Sequence, residues 1–561
     1  MNKGQKLWQE VDGMFNGTRS TRRMEWVDAV RYVLPDLISS AQLTENNTAP
    51  KEKRQRLCPQ ARTAVTKLTS AYLSYITPIG HKWFKYEPWG GQRFASDAER
   101  QDAEDWYNEA SDTLFDAIEK SNLYNELFSV FTDCVATGTG VIFCDIDEDS
   151  KEYYFKHIPA GTFGLDVDHK GKLNRVCYKF KLTAAQIAEK FPDVELPQNI
   201  AAALQEPSNA SESEFELVHY VKPRSYGNEA REELDPMKFP YASYYVLAEG
   251  ETLLYENGYR EMPYAAIRFQ RVGSQVYGTS PLISVMDYID DLRTLDSVSV
   301  EAAKRRAIPP VLIPPEMRGQ VALGAGQQTI VPRQYNNSAL PREWALSGDT
   351  RELIDQRNLS NEYLKDALFI TFLEVISSQP REMTAYEVRA REAEKLMAYA
   401  QIFAQFVCDW KPMQLRIFSL GVQNELVDIT KAPDGVVVSN GESTYIELPK
   451  VAYIGRMSQA LERAQLSNMD THVARVIELA QATQNAELLM NYDWNKIVRA
   501  MAIMDGMPAQ FLLPMAKVEQ LKEELIEARS QQQSAETELK EAQAAEHSAR
   551  AAEAISNVYA Q

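Results

Sequence analysis

Two helical segments, separated by a stretch that cannot be helical, constrain this chain more than any other feature. The first opens at Ser280-Pro281, a side chain suited to cap a helix followed by a residue suited to its first position. Leu282, Val285, Met286, Ile289, Leu292, Leu295 and Val298 then recur at helical spacing as one apolar stripe. Carried to Arg306, this rod is roughly 38 Å long at 1.5 Å per residue. The run Ile308-Pro309-Pro310-Val311-Leu312-Ile313-Pro314-Pro315 ends it, because proline has no N–H to give the helix. Residues 307–350 are rich in Gly and Pro and are expected to form strands and loops. A second rod is expected over 351–372. A break at Ser377-Ser378-Gln379-Pro380-Arg381 then precedes a helix from Thr384 to near Leu426, with Glu387 completing a capping box.

On either side the pattern alternates between helix and strand. Trp26, Val27, Val30, Val33 and Leu34 predict a helix before Pro35, a polar loop follows over 39–50, and 57–76 predicts a second helix ending at Thr77-Pro78. Residues 97–131 read as one helix. After Gly138-Thr139-Gly140 the signal turns to strands, at 141–144 and 153–155 around an acidic turn. Further strands are expected at 162–168, 174–182, 214–223, 241–248 and 252–255, with His169-Lys170-Gly171 and Asn257-Gly258 as turns and a helical insert at 184–190. A short β piece is expected at 435–448 and three helices over 456–513. The tail, 516–561, has neither Gly nor Pro and reads as an exposed helix. The whole is an α+β chain, mainly helical, and at 561 residues too long for a single core.

Several function classes are poorly served by these residues. No G-x-x-x-x-G-K-[ST] loop is present, so a nucleotide-driven motor is not supported. The six histidines fall in no metal-ligand spacing, and the five cysteines include no C-x-x-C, so neither a cofactor nor a structural metal is expected. Acidic groups at 145–149, at Asp166 with Asp168, and at Asp290-Asp291 suggest a magnesium-dependent nuclease only weakly, since turn solvation and a helix surface explain them. The formal charge of −19 does not suit tight wrapping of nucleic acid, although it suits a surface past which DNA slides. Residues 1–10 are polar and no apolar run is long enough to span a bilayer, so neither a signal peptide nor a membrane partner is expected.

The order of local motifs over 5–515 resembles the head-to-tail connector, or portal, family of short-tailed bacteriophages. The similarity is carried by Trp26 to Pro35, Ala71-Tyr72-Leu73, Thr77-Pro78 and Trp83-Phe84, and by the Gly-x-Gly step into a strand over Cys134 to Phe143. Tyr277-Gly278-Thr279-Ser280-Pro281 leading a long helix, and Met383-Thr384-Ala385-Tyr386-Glu387-Val388 with Arg389 and Glu392, carry it further. Tyr453-Ile454-Gly455-Arg456 with Gln459-Ala460-Leu461, and Asp493 to Pro508, complete it.

The resemblance implies a portal fold: wing (1–279), stem helix 1 (280–306), clip (307–350), stem helix 2 (351–374), channel loop (375–383), a long helix returning through wing and crown (384–514), and a crown or tail (515–561). It implies a closed ring of twelve copies at one capsid vertex, with double-stranded DNA in its channel. Implied partners are the terminase large subunit, tail adaptor proteins, and the major capsid, scaffold and internal core proteins. The implied location is the virion, with assembly in the host cytoplasm. An apolar stripe on two joined rods needs partners, and identical copies around a ring supply them. Ser377, Ser378, Gln379, Pro380, Arg381 and Glu382 are candidates for a DNA-facing loop, although a plain helix–helix turn would use similar residues. Lys304, Arg305 and Arg306 are candidates for contact with DNA or an adjacent subunit, or for capping the helix dipole. Another structural virion protein, such as a tail adaptor or internal core protein, is the alternative reading.

Overall fold

In a computed structural model the described residues are 2–34, 57–89, 96–147, 150–224, 235–308, 351–370, 385–433, 435–439 and 444–455, with the pairs 311–312 and 342–343 and isolated residues elsewhere. Two compact units separate, Met1–Leu461 and Glu462–Gln561. Few residues of the second are described, among them His472, whose Nε2 lies 3.1 Å from Tyr492 Oη.

The first unit begins with α1 (Lys3–Asn16), α2 (Thr18–Val33) and α3 (Pro59–Ile76), then β1 (Phe84–Glu87). The helix expected over 97–131 is two, α4 (Asp97–Lys120) and α5 (Leu123–Thr137). The break has a local cause. Ser121 Oγ donates to Ile118 O at 2.6 Å, and Asn122 exchanges two hydrogen bonds with the Phe155 backbone, at 2.7 and 2.9 Å. Those bonds satisfy the backbone polar groups of a neighbouring strand in place of continuing the helix.

Two sheets follow. The first has the order β3-β2-β9, from β2 (Thr139–Ile146), β3 (Tyr153–Ile158) and β9 (Tyr264–Arg268). The second is an antiparallel meander of β4 (Phe163–Val167), β5 (Leu173–Thr183), β6 (Glu214–Pro223), β7 (Tyr241–Leu247) and β8 (Thr252–Tyr259). Between β5 and β6 lie α6 (Ala184–Lys190), where the insert was expected, and two short helices that were not, α7 (Gln198–Leu204) and α8 (Pro207–Glu212). Asn257-Gly258 is not a turn. It lies within β8, paired with Ser243 and Ala242 of β7. Glycine is needed there because a Cβ would collide with the Pro236 carbonyl.

Beyond the sheets come α9 (Met286–Ala307), β10 (Val311–Leu312), β11 (Arg342–Glu343), α10 (Arg351–Ala367) and α11 (Ala385–Gln423). Then β12 (Val437–Ser439) and β13 (Thr444–Ile446) form the expected β piece, and β14 (Lys450–Tyr453) closes on β1. The α-helix of the first rod starts at Met286 rather than Pro281, after a 3-10 turn at Ile283–Val285. Ser280 does cap, but from a fixed position: its Oγ accepts from the Leu282 and Ile283 N–H groups and donates to Val135 O at 2.6 Å. The second rod stops at Ala367. Phe369 turns to a left-handed φ of 58°, which lets Leu368 and Ile370 both enter the core.

Candidate functional site

Residues 138–140 and 277–281, far apart in sequence, meet at the base of the first rod. Gly138 ends α5 in the left-handed region, at φ 86°, and its N–H donates to Cys134 O. A Cβ on Gly138 would overlap the Gly278 carbonyl, and one on Gly278 would overlap the Gly138 carbonyl, so the two backbones touch only because both residues are glycine. Gly278 N–H donates to Thr139 Oγ1 at 2.9 Å, and Phe269 N–H donates to Gly138 O at 3.0 Å. Tyr277 packs edge-on against buried Trp26 of α2, and its Oη accepts from Leu165 N–H at 3.0 Å. Helices α2 and α5, both sheets and the base of the rod therefore share one seam.

The two rods form an antiparallel hairpin. Tyr288 stacks on Tyr363, Asp296 pairs with Arg357 at 2.7 Å, and Val311 pairs with Glu343, so residue numbers on one arm rise as those on the other fall. The lower half of the hairpin is fixed to the first unit. Ile289, Leu292 and Leu364 are buried, Gln60 of α3 donates to Asp296 at 3.2 Å, and Arg293 lies over the Tyr32 ring. The upper half is different. Several apolar residues toward its far end are exposed: Val300 is 55% exposed, Ile308 82% and Ile354 51%, with Val298 also exposed.

The long helix α11 is fixed to the same platform through its C-terminal half. Asp409, 3% exposed at its side chain, accepts from Arg268 N–H at 3.0 Å and Nε at 3.1 Å, and from Gln405 Nε2 at 3.0 Å. Arg416 donates to Cys144 O at 3.1 Å and meets Asp145 at 3.2 Å. Gln414 joins Trp410 to Tyr86 of β1, and Tyr153 of β3 donates to Ile417 O. One helix thus ties β1, β2, β3 and β9 together. Sequence reasoning missed Asp409, Gln414 and Arg416, and met Asp145 only as part of an acidic turn. The signal was there, in Asp409, Gln414 and Arg416 interrupting an apolar run that includes Phe406, Trp410, Met413, Ile417 and Phe418.

Lys304, Arg305 and Arg306 sit exposed in the last turn of α9, where positive charge suits the helix C-terminus. Arg305 is held by Glu301 of its own helix at 2.5 Å. Residues 377–382 and Thr384 lie outside the described residues, and the side chain of Glu387 does too. The acidic groups are engaged locally: Asp168 accepts from the Lys170 and Lys172 N–H groups in its turn, Asp145 meets Arg416, and Asp290 pairs with Arg293. Among the described residues no group of three or more His, Cys, Asp or Glu side chains is placed to hold a metal, and no helix is long and apolar enough to cross a membrane.

The family described as bacteriophage head to tail connecting protein matches this chain over residues 6–513. The chain therefore belongs to that family, the portal or head–tail connector proteins of phages, which is structural rather than enzymatic. Among its relatives, the portal protein of Salmonella phage epsilon15 is 22% identical over 516 residues, covering 90% of this chain and 88% of the relative. A probable portal protein of Bordetella phage BPP-1 is 21% identical over 387 residues, covering 69% and 68%. A solved chain from the neck of an empty GTA particle aligns over 72% of this chain and 96% of its own length at 10% identity, with a TM-score of 0.30, too low to indicate a shared fold.

Proposed function

We propose that the chain is one subunit of a twelve-fold portal ring at a single capsid vertex, the channel through which DNA is packaged and later ejected. The observation that carries this reading is the upper half of the helical hairpin, whose exposed apolar residues have no partner within one described copy. A large apolar surface left bare is costly in water, and copies repeated around an axis cover it without leaving an open end. Twelve chains of 63.6 kDa give a particle of roughly 760 kDa under that symmetry. In this reading residues up to 279 are the wing, the hairpin is the stem, 307–350 is the clip, 515–561 is the crown, and 375–383 is the channel loop. Terminase docks during packaging and tail adaptors afterwards, beside capsid, scaffold and internal core proteins, first in the host cytoplasm and finally in the virion.

Negative-stain electron microscopy of the purified chain tests the ring, with twelve-fold class averages around a central hole expected. Val300→Asp with Ile354→Asp is expected to abolish rings while leaving the circular dichroism of the chain unchanged. Rings that survive both substitutions remove the observation on which the reading rests. For the loop, Arg381→Ala is expected to change DNA retention in packaged particles without changing assembly; unaltered retention counts against the loop as a DNA contact.

A further inference from the structure

The two sheets and the end of α6 line an open recess. Its walls are aromatic, with Tyr178, Phe180 and Tyr245 among them, and its two cations are Lys156 of β3 and Lys190 of α6. Lys156 Nζ lies 5.3 Å from the Tyr178 ring centre and 5.4 Å from that of Phe180. Lys190 Nζ lies 4.7 Å from the Tyr245 ring centre and 5.6 Å from that of Phe180. Both ammonium groups thus lie against the Phe180 ring, and, beyond the effect of burial, Lys156 lowers the affinity of Lys190 for its proton.

Among the described residues no carboxylate oxygen comes within 4.0 Å of either ammonium nitrogen, and the two carboxylates that act on them are held elsewhere. Asp145 faces Arg416 at 3.2 Å, and Glu126 accepts from His157 N–H at 2.6 Å. The floor offers no anion either. His219 is buried there, with Nδ1 2.5 Å from Tyr264 Oη and Nε2 2.8 Å from Ser243 Oγ, contacts that a neutral ring satisfies. Ring faces compensate a cation only in part, by about 0.5–2 kcal/mol. Consistent with that shortfall, burial of its ammonium end and then the nearby Lys156 push Lys190 down to about 8.

We propose that this recess binds a small organic anion, a phosphate monoester carried on a flat ring, with its oxygens between the Lys156 and Lys190 ammonium groups and its ring against the aromatic wall. Such a ligand supplies charge-assisted hydrogen bonds for two ammonium groups that have no carboxylate within 4.0 Å among the described residues, and an apolar face for the tyrosine and phenylalanine rings. Neither half of the ligand alone satisfies both features.

The test uses the full chain and phenyl phosphate, with inorganic phosphate and benzyl alcohol as its two halves, titrated by calorimetry. Two charge-assisted contacts and one ring contact predict that phenyl phosphate binds about tenfold or more tightly than either half. Lys156→Gln and Lys190→Gln are each expected to weaken it about tenfold, with unchanged circular dichroism. Phenyl phosphate should also slow acetylation of Lys190 at pH 8, read by mass spectrometry, relative to surface lysines such as Lys120. Inorganic phosphate binding as tightly as phenyl phosphate overturns the proposal, as does affinity unchanged in the double variant. Absence of saturable binding up to about 10 mM also overturns it.

Discussion

Replacing Asp409 with Asn tests how the long helix is held to the platform. In the wild-type chain the Asp409 carboxylate accepts from the Arg268 main-chain N–H and Nε and from Gln405, and its Oδ1 lies 2.5 Å from Arg268 Nη2. Both side chains are almost wholly buried, at 8% and 3% exposure. Asn keeps the shape but removes the charge, leaving a guanidinium without a counter-ion away from water. Breaking a buried pair in this way costs about 3–5 kcal/mol. Because 1.36 kcal/mol is one decade, amide protection around the pair should fall by roughly two to nearly four decades, up to the limit set by the opening of the whole unit. Native-state hydrogen exchange reads this at the Arg268 amide, which donates to the missing carboxylate, and along β9. The control is the double variant Arg268→Met with Asp409→Leu, which removes both charges and is expected to regain most of the loss. If the single variants and the double show a coupling below about 0.5 kcal/mol, the pair does not hold helix to sheet and the reasoning fails.

Two further outcomes follow from the same geometry. Gly278→Ala places a Cβ on the Gly138 carbonyl, and Gly138→Ala adds the strain of φ 86°; each is expected to cost about 3 kcal/mol or more and to be seen as loss of soluble chain or a lowered melting midpoint. A midpoint unchanged in Gly278→Ala would show that the two strands of the seam move apart easily. His219 is held well below the usual imidazole range by burial, then by Lys190 and Lys156. Its folded state therefore refuses a proton that the unfolded chain accepts below about pH 6.5. The stability it contributes is complete above that pH and is lost as pH falls, by up to about 1.4 kcal/mol per pH unit. His219→Gln should flatten the dependence of the urea midpoint between pH 7 and 5; parallel curves for the two chains would contradict it.

The periodic parts of this fold were legible in the sequence, and the parts set by distant neighbours were not. Strands β4 to β7 and α6 lie where runs of β-branched and aromatic residues bounded by turn residues, and a capping residue, put them. The break at Ser121-Asn122 is marked locally by two residues that favour helix ends, but what holds it is Asn122 engaged by Phe155 across the chain. Asn257-Gly258 misled: its glycine answers the Pro236 carbonyl, not a turn. β9 was missed because Ala265 and Ala266 in Tyr264–Arg268 carry little strand signal. The first rod was read with the right stripe, but its burial divides at Leu295, where the platform ends, and no stripe records where a neighbour stops.

The seam at Gly138 and Gly278 explains why short motifs identified this chain while no single residue did. Residues 138–140 show a glycine pair before a strand, and 277–281 show a glycine before a capped helix; each alone is commonplace. Together they are two sides of one contact, in which two glycines, Thr139 Oγ1 and Ser280 Oγ fix where α9 leaves the sheets. A Cβ on either glycine would meet the other's carbonyl, so the two motifs constrain each other despite the distance between them in sequence. A connector has no reacting group to mark it. In this chain the place where α9 leaves its platform is set by side chains too small to carry a signal singly.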